Sequence, residues 1–130
     1  MPLPSTLRRR GGGKVNHKMQ KESIGILLRI FVGESDKYDG KNLYHYLTEY
    51  LRKNHYSGIT VLRGITGFGK ASKIHSSDLL ELSSDLPIVI EIVDTEEKIT
   101  ALKKTFEETS MIGSALITEE KVKIIQYGTK

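Results

Sequence analysis

An α+β fold of order β-α-β-β-α-β, the ferredoxin-like arrangement, is what this 130-residue sequence predicts, on three observations. Apolar residues alternate at period two over residues 24–32 and 86–93. They recur at i, i+3 and i+4 over residues 43–51, and the same helical spacing returns at Ile99, Leu102 and Phe106. Each helical stretch falls between strand-like runs. Right-handed crossovers then put both helices on one face of a four-stranded antiparallel sheet and leave the other face bare.

Composition sets the outer limits. The length fits one domain with a proper core, and 38% hydrophobic with 28% charged residues is a soluble globular balance. No apolar run approaches the roughly 18 residues that a membrane span requires. The lack of cysteine excludes disulfides, thiolate metal sites and cysteine nucleophiles, and fits a reducing, cytoplasmic setting. The net charge of +4 is concentrated at the front. Arg8, Arg9, Arg10, Lys14, Lys18 and Lys21 against Glu22 give residues 1–22 a charge of +5 and leave −1 for the rest. The folded part is nearly neutral, so nucleic-acid binding by the domain itself is not expected.

Residues 1–22 mix prolines, arginines and Gly11–Gly13 without an apolar period, and read as a disordered basic tail ahead of a domain spanning 23–130. As function, the tail is a nucleic-acid or anionic-surface arm; the plainer readings are an idle tail or a chain whose true start is Met19. It does not read as a signal peptide, because Arg29 interrupts the apolar run behind it. The first strand, residues 24–32, puts Ile24, Ile26, Leu28, Ile30 and Val32 on one face and Leu27, Arg29 and Phe31 on the other. Residues 33–41 (GESDKYDGK) form a polar, turn-rich connection. Leu43, Tyr46, Leu47, Tyr50 and Leu51 make the stripe of an amphipathic helix, closed by Asn54, Ser57 and Gly58.

The second strand runs from Ile59 to near Ile65 and the third over residues 86–93, with about 20 residues between them. A connection that long in a compact domain carries function or moves. Asp94 with Glu97 reads as a capping box that opens the second helix, which ends near Ser110. Gly113 turns the chain into a last strand region, 114–118 and 122–127, broken at 119–121. By alternation the bare face carries Leu27, Phe31, Leu62, Val89 and Val93, with Ile125 and Tyr127 if the last strand keeps phase. So apolar a face predicts a partner, hence an oligomer. Arg29 and Glu91 fall on the same face, on strands that this topology makes adjacent, and are expected to pair.

The chemistry of the chain gathers in residues 59–76, ITVLRGITGFGKASKIHS. Gly64, Gly67 and Gly69 at a strand end, followed by Lys70, Lys73 and His75, make a phosphate-site candidate, because glycine lets the backbone approach a ligand; the alternative is a flexible hairpin tip with solvated lysines. Gly64–Lys70 also spells G-x-x-x-x-G-K, but Ala71 stands where a P-loop needs the hydroxyl that holds Mg²⁺. A small P-loop-like nucleotide-hydrolysing enzyme is therefore the runner-up, with nucleic-acid binding through the tail as a third reading. His17, His45, His55 and His75 show no metal-ligand spacing, and no catalytic constellation is readable.

With the element order and TVLRGITGFGKASKIH in hand, the chain resembles the PII-like proteins, and more closely an uncharacterised group within that superfamily. The most specific segments are LRIFVGESDKYDGK, TVLRGITGFG and LPIVIEIVD, with Gly67-Phe68-Gly69-Lys70 as the sharpest local mark. The resemblance implies a homotrimer, not an enzyme, that needs no cofactor or metal and binds a small effector in clefts between subunits. It further implies that the loop after the second strand contacts a target protein, an enzyme or a membrane transporter. Carried over, the cleft is lined by Gly67, Phe68, Gly69 and Lys70, with Lys73 and His75 farther along, and completed by Gly33, Glu34, Gly113 and Ser114. ATP-holding members place a lysine and two arginines where this chain has Ser114, Ile124 and Gln126, so AMP or ADP is the expected effector.

Overall fold

The computed structural model describes residues 20–67 and 85–128. Among these residues six strands and two helices follow one another: β1 (Gln20–Gly33), β2 (Lys37–Tyr38), β3 (Lys41–Asn42), α1 (Leu43–Lys53), β4 (Ile59–Arg63), β5 (Pro87–Asp94), α2 (Glu96–Glu108) and β6 (Leu116–Tyr127). Four strands form an antiparallel sheet in the order β4-β5-β1-β6, while β2 and β3 make a separate hairpin. The expected ferredoxin-like architecture is the one observed. By contacts the chain divides into a unit of residues 26–121 and a second made of the strand ends, 20–25 and 122–128 among the described residues.

The first unit holds the core. Leu28, Ile30, Ile88, Ile90 and Ile92 of the sheet meet Leu47 and Leu51 of α1 and Ile99 and Leu102 of α2, all essentially without solvent exposure. Register explains the match: Leu28 pairs with Ile92, Ile30 with Ile90 and Val32 with Ile88, so every second residue of both strands reaches the helices. The tyrosines of α1 pack against this core, Tyr46 meeting Tyr38 of the hairpin edge to face with ring centroids 4.8 Å apart.

Several local expectations need correction. The first strand starts at Gln20, so residues 20–22 of the expected tail are strand, and residues 1–19 lie outside the described ones. The polar connection after β1 contains a two-residue hairpin, Asp39 and Gly40 having φ of 51° and 76°, the two left-handed positions of a type I′ turn. Asn54 caps the end of α1 as expected, but the left-handed residue that follows is His55 rather than Gly58, with His55 N–H on Arg52 O and Tyr56 N–H on Leu51 O. Thr95, not Asp94, caps α2: its hydroxyl accepts from Lys98 N–H, and with Lys98 at the third helical position there is no capping box. Asp94 is still strand, 3% exposed, and its carboxylate accepts from Ser57 N–H and Thr95 N–H at 2.7 Å each. β6 is continuous across 119–121, where Glu119 binds Lys103 and Glu120 binds Arg29.

The second unit is extended chain, with Glu22 and Lys123 paired at 3.8 Å and with Ile24, Ile125 and Tyr127 exposed. No helix among the described residues is long and apolar enough to cross a membrane.

Candidate functional site

Three chain segments meet at one end of the sheet. Gly33 of β1 pairs with Pro87 of β5, and Arg63 of β4 pairs with the neighbouring Ile88, so the ends of β1 and β4 flank the start of β5. Backbone bonds lock the rim: Glu34 N–H donates to Leu86 O at 2.9 Å and Gly64 N–H to Pro87 O at 2.7 Å. Carboxylates complete it, Asp36 accepting from Gly33 N–H and Asp85 from Ser35 N–H. Above them Arg63 Nη2 donates to Glu34 Oε2 at 2.5 Å.

The glycines here are required by close approach. A Cβ on Gly64 would stand 2.8 Å from the Pro87 ring, and one on Gly33 would stand 3.0 Å from the Asp85 carboxylate. Gly67 has φ +142° and also faces the Pro87 ring, so its residue type follows from backbone conformation as well as space. Gly64 gives its N–H to Pro87 O, so this backbone group is not directed at an anion as a P-loop reading would have it.

Of the sequence-derived site residues, Gly33, Glu34 and Gly67 are thus brought to one rim. Phe68, Gly69, Lys70, Lys73 and His75 lie outside the described residues. Gly113 and Ser114 belong instead to the turn before β6. Gly113, at φ +58°, lines a shallow open cleft of ≈ 360 Å³ with Phe106, Ile112 and Ile117, crossed by the 2.6 Å Lys103–Glu119 pair. Sequence reading missed Arg63, Asp36 and Asp85. Arg63 and Asp85 act on residues 29 and 50 positions away, beyond the reach of local pattern.

The sheet face away from the helices has an ordered pattern. One cross-strand row is Leu62, Val89 and Phe31; the next is Thr60, Glu91 and Arg29; the third pairs Val93 with Leu27. Leu62 is 49% and Val93 36% exposed, while Leu27, Phe31 and Val89 are half-buried. Arg29 and Glu91 pair as expected, Nε to Oε2 at 2.9 Å, and Glu120 joins them at 3.0 Å through Nη1. Hydrogen bonds to Glu91 and then Glu120 raise the Arg29 pKa further, so the guanidinium stays charged.

A four-stranded antiparallel sheet with two helices on one face, and a long connection leaving a glycine-rich strand end, defines a PII-like fold. Solved structures of CPII from Thiomonas intermedia K12, a nitrogen regulatory PII-like protein, share it. The form bound to ADP and bicarbonate superposes with a TM-score of 0.55 at 19% identity, over 80% of this chain and 91% of that one. The form bound to ADP, AMP and bicarbonate superposes with a TM-score of 0.57 at 18% identity, again over 80% and 91%. The chain itself belongs to the DUF190 family, "Uncharacterized ACR", whose model matches residues 25–124. It is 43% identical over 99 residues to a UPF0166 protein of Aquifex aeolicus (strain VF5), covering 76% of this chain and 91% of the relative. It is 36% identical over 94 residues to a UPF0166 protein of Methanocaldococcus jannaschii, covering 72% and 86%.

Proposed function

We propose that this protein is a homotrimeric, non-enzymatic PII-like regulator of the cytoplasm that binds an adenine nucleotide, AMP or ADP, in clefts between subunits. The segment between β4 and β5 then contacts a target protein, an enzyme or a membrane transporter. The observation that carries the reading is the fold shared with CPII, a protein solved with ADP and AMP bound. Each cleft takes Gly33, Glu34 and Gly67 from the rim, with Phe68, Gly69 and Lys70 following on, Lys73 and His75 beyond them, and Gly113 and Ser114 completing it. The exposed apolar rows of the sheet support assembly, since Leu62 and Val93 would gain burial against another chain. Neutral Ser114, Ile124 and Gln126 support an effector with fewer than three phosphates.

Calorimetry on protein stripped of carried-over ligand tests this. AMP or ADP is expected to bind more tightly than ATP, without turnover. Absence of heat with all three would leave the fold standing and remove the function. Steady phosphate release by pure protein would favour a hydrolase instead.

A further inference from the structure

The Arg63–Glu34 pair at the rim contributes little to holding the fold. Arg63 lies at the end of β4 with a side chain 55% exposed, whereas the Glu34 side chain is 24% exposed and its backbone is tied to Leu86. An exposed pair of this kind contributes about 0–1 kcal/mol to stability, so an anion that offers Arg63 two oxygens can displace Glu34 at little cost. The surroundings make that exchange matter. Asp36 and Asp85 present carboxylates to the same rim, both accepting backbone N–H groups. Among the described residues joined by these contacts, Arg63 is the one cation. Among the described residues of this rim Arg63 is therefore the group that can meet an anion with charge, and Glu34 already occupies it.

We infer that Arg63 is a phosphate-binding cation of the effector site and that Glu34 is a built-in competitor, released when a phosphate takes its place. The inference rests on the nucleotide reading above and gives Glu34 a different part in it: it does not bind the ligand, it sets the threshold for binding. Arg63 has five N–H donors in a planar fork, which suits the edge of a phosphate better than a single carboxylate oxygen. The rigid backbone behind both residues keeps the exchange local to two side chains.

Titration calorimetry at fixed ionic strength, on protein stripped of ligand, separates the possibilities with ADP, adenosine and inorganic phosphate as probes. Glu34→Gln is expected to tighten ADP binding about tenfold and Arg63→Gln to weaken it about tenfold, since a charge-assisted contact is freed in one and lost in the other. The double variant should match Arg63→Gln alone, because Glu34 acts only through Arg63. Adenosine should bind all four proteins equally. Inorganic phosphate that follows the variant pattern while adenosine adds nothing would keep the Arg63–Glu34 exchange and overturn the nucleotide reading. Wild-type ADP binding that Glu34→Gln leaves unchanged or weakens would overturn the exchange and keep the nucleotide. No heat from ADP or phosphate in either the wild type or Glu34→Gln would overturn both.

Discussion

His55 illustrates how a single backbone position limits α1. It occupies the left-handed region at φ 61°, where a β-carbon crowds the following carbonyl. His55→Gly should therefore stabilise the protein by about 1 kcal/mol, read as a higher denaturation midpoint at unchanged slope. Next to it, Tyr56 donates its hydroxyl to Lys98 O at 3.0 Å, while Lys98 Nζ sits 4.4 Å from the Tyr56 ring centre and binds the carbonyls of Asn54 and His55. Burial first, then the proximity of Tyr50 and Asp94, raises the Tyr56 pKa above its ordinary 10.0. A group whose pKa is raised on folding contributes stability that is complete below its unfolded value and is lost as pH climbs through the folded one. Stability should then fall above pH 10, and ultraviolet titration should show a late phenolate step that Tyr56→Phe removes. At this scale the sequence exposes residue types but not long-range partners. Gly67 was singled out by the glycine motif and Glu34 by the family resemblance alone, whereas Arg63 was passed over because its carboxylate lies 29 residues away.

Elements were legible where their periods are long and uniform. β5, α1 and α2 bury or half-bury the residues that their spacing selects, and β1 does so from Ile26 to Val32, whereas Ile24, expected on the same face, is exposed. The β2–β3 hairpin escaped because its strands are two residues each, too short to show alternation, although Asp39-Gly40 is a strong turn signal. β6 looked broken because Glu119, Glu120 and Lys121 interrupt its apolar residues. An edge strand tolerates such charges, and here Lys103 and Arg29 bind two of them. The junction of β5 and α2 shows how elements are tied. Asp94 holds the approach to β4 through Ser57 N–H and the start of α2 through Thr95 N–H. Removing that buried carboxylate leaves two donors unpaired, so Asp94→Ala should cost about 2–4 kcal/mol, while Thr95→Ala, which removes only a cap, should cost about 1 kcal/mol. Equal losses by thermal denaturation would contradict this division of labour.

At the scale of the whole molecule the sheet face decides whether the protein works alone. Its apolar rows flank a charged one, in which Arg29 serves both Glu91 and Glu120. In a monomer these side chains keep contact with water and their loss is mild. In a trimer packed through this face they lose that contact, and each carboxylate left without Arg29 weakens assembly. The two cases predict different mutant behaviour. The wild type should scatter light as a trimer at micromolar concentration. Arg29→Met should raise the concentration needed for assembly about tenfold or more, because two carboxylates are left facing a neighbour without their cation. Replacing Glu91 and Glu120 by leucine in the same chain should restore assembly, since the row becomes apolar like its neighbours. A monomeric wild type, or an Arg29→Met protein that assembles as well as the parent, would show that this face is not where copies of the chain meet.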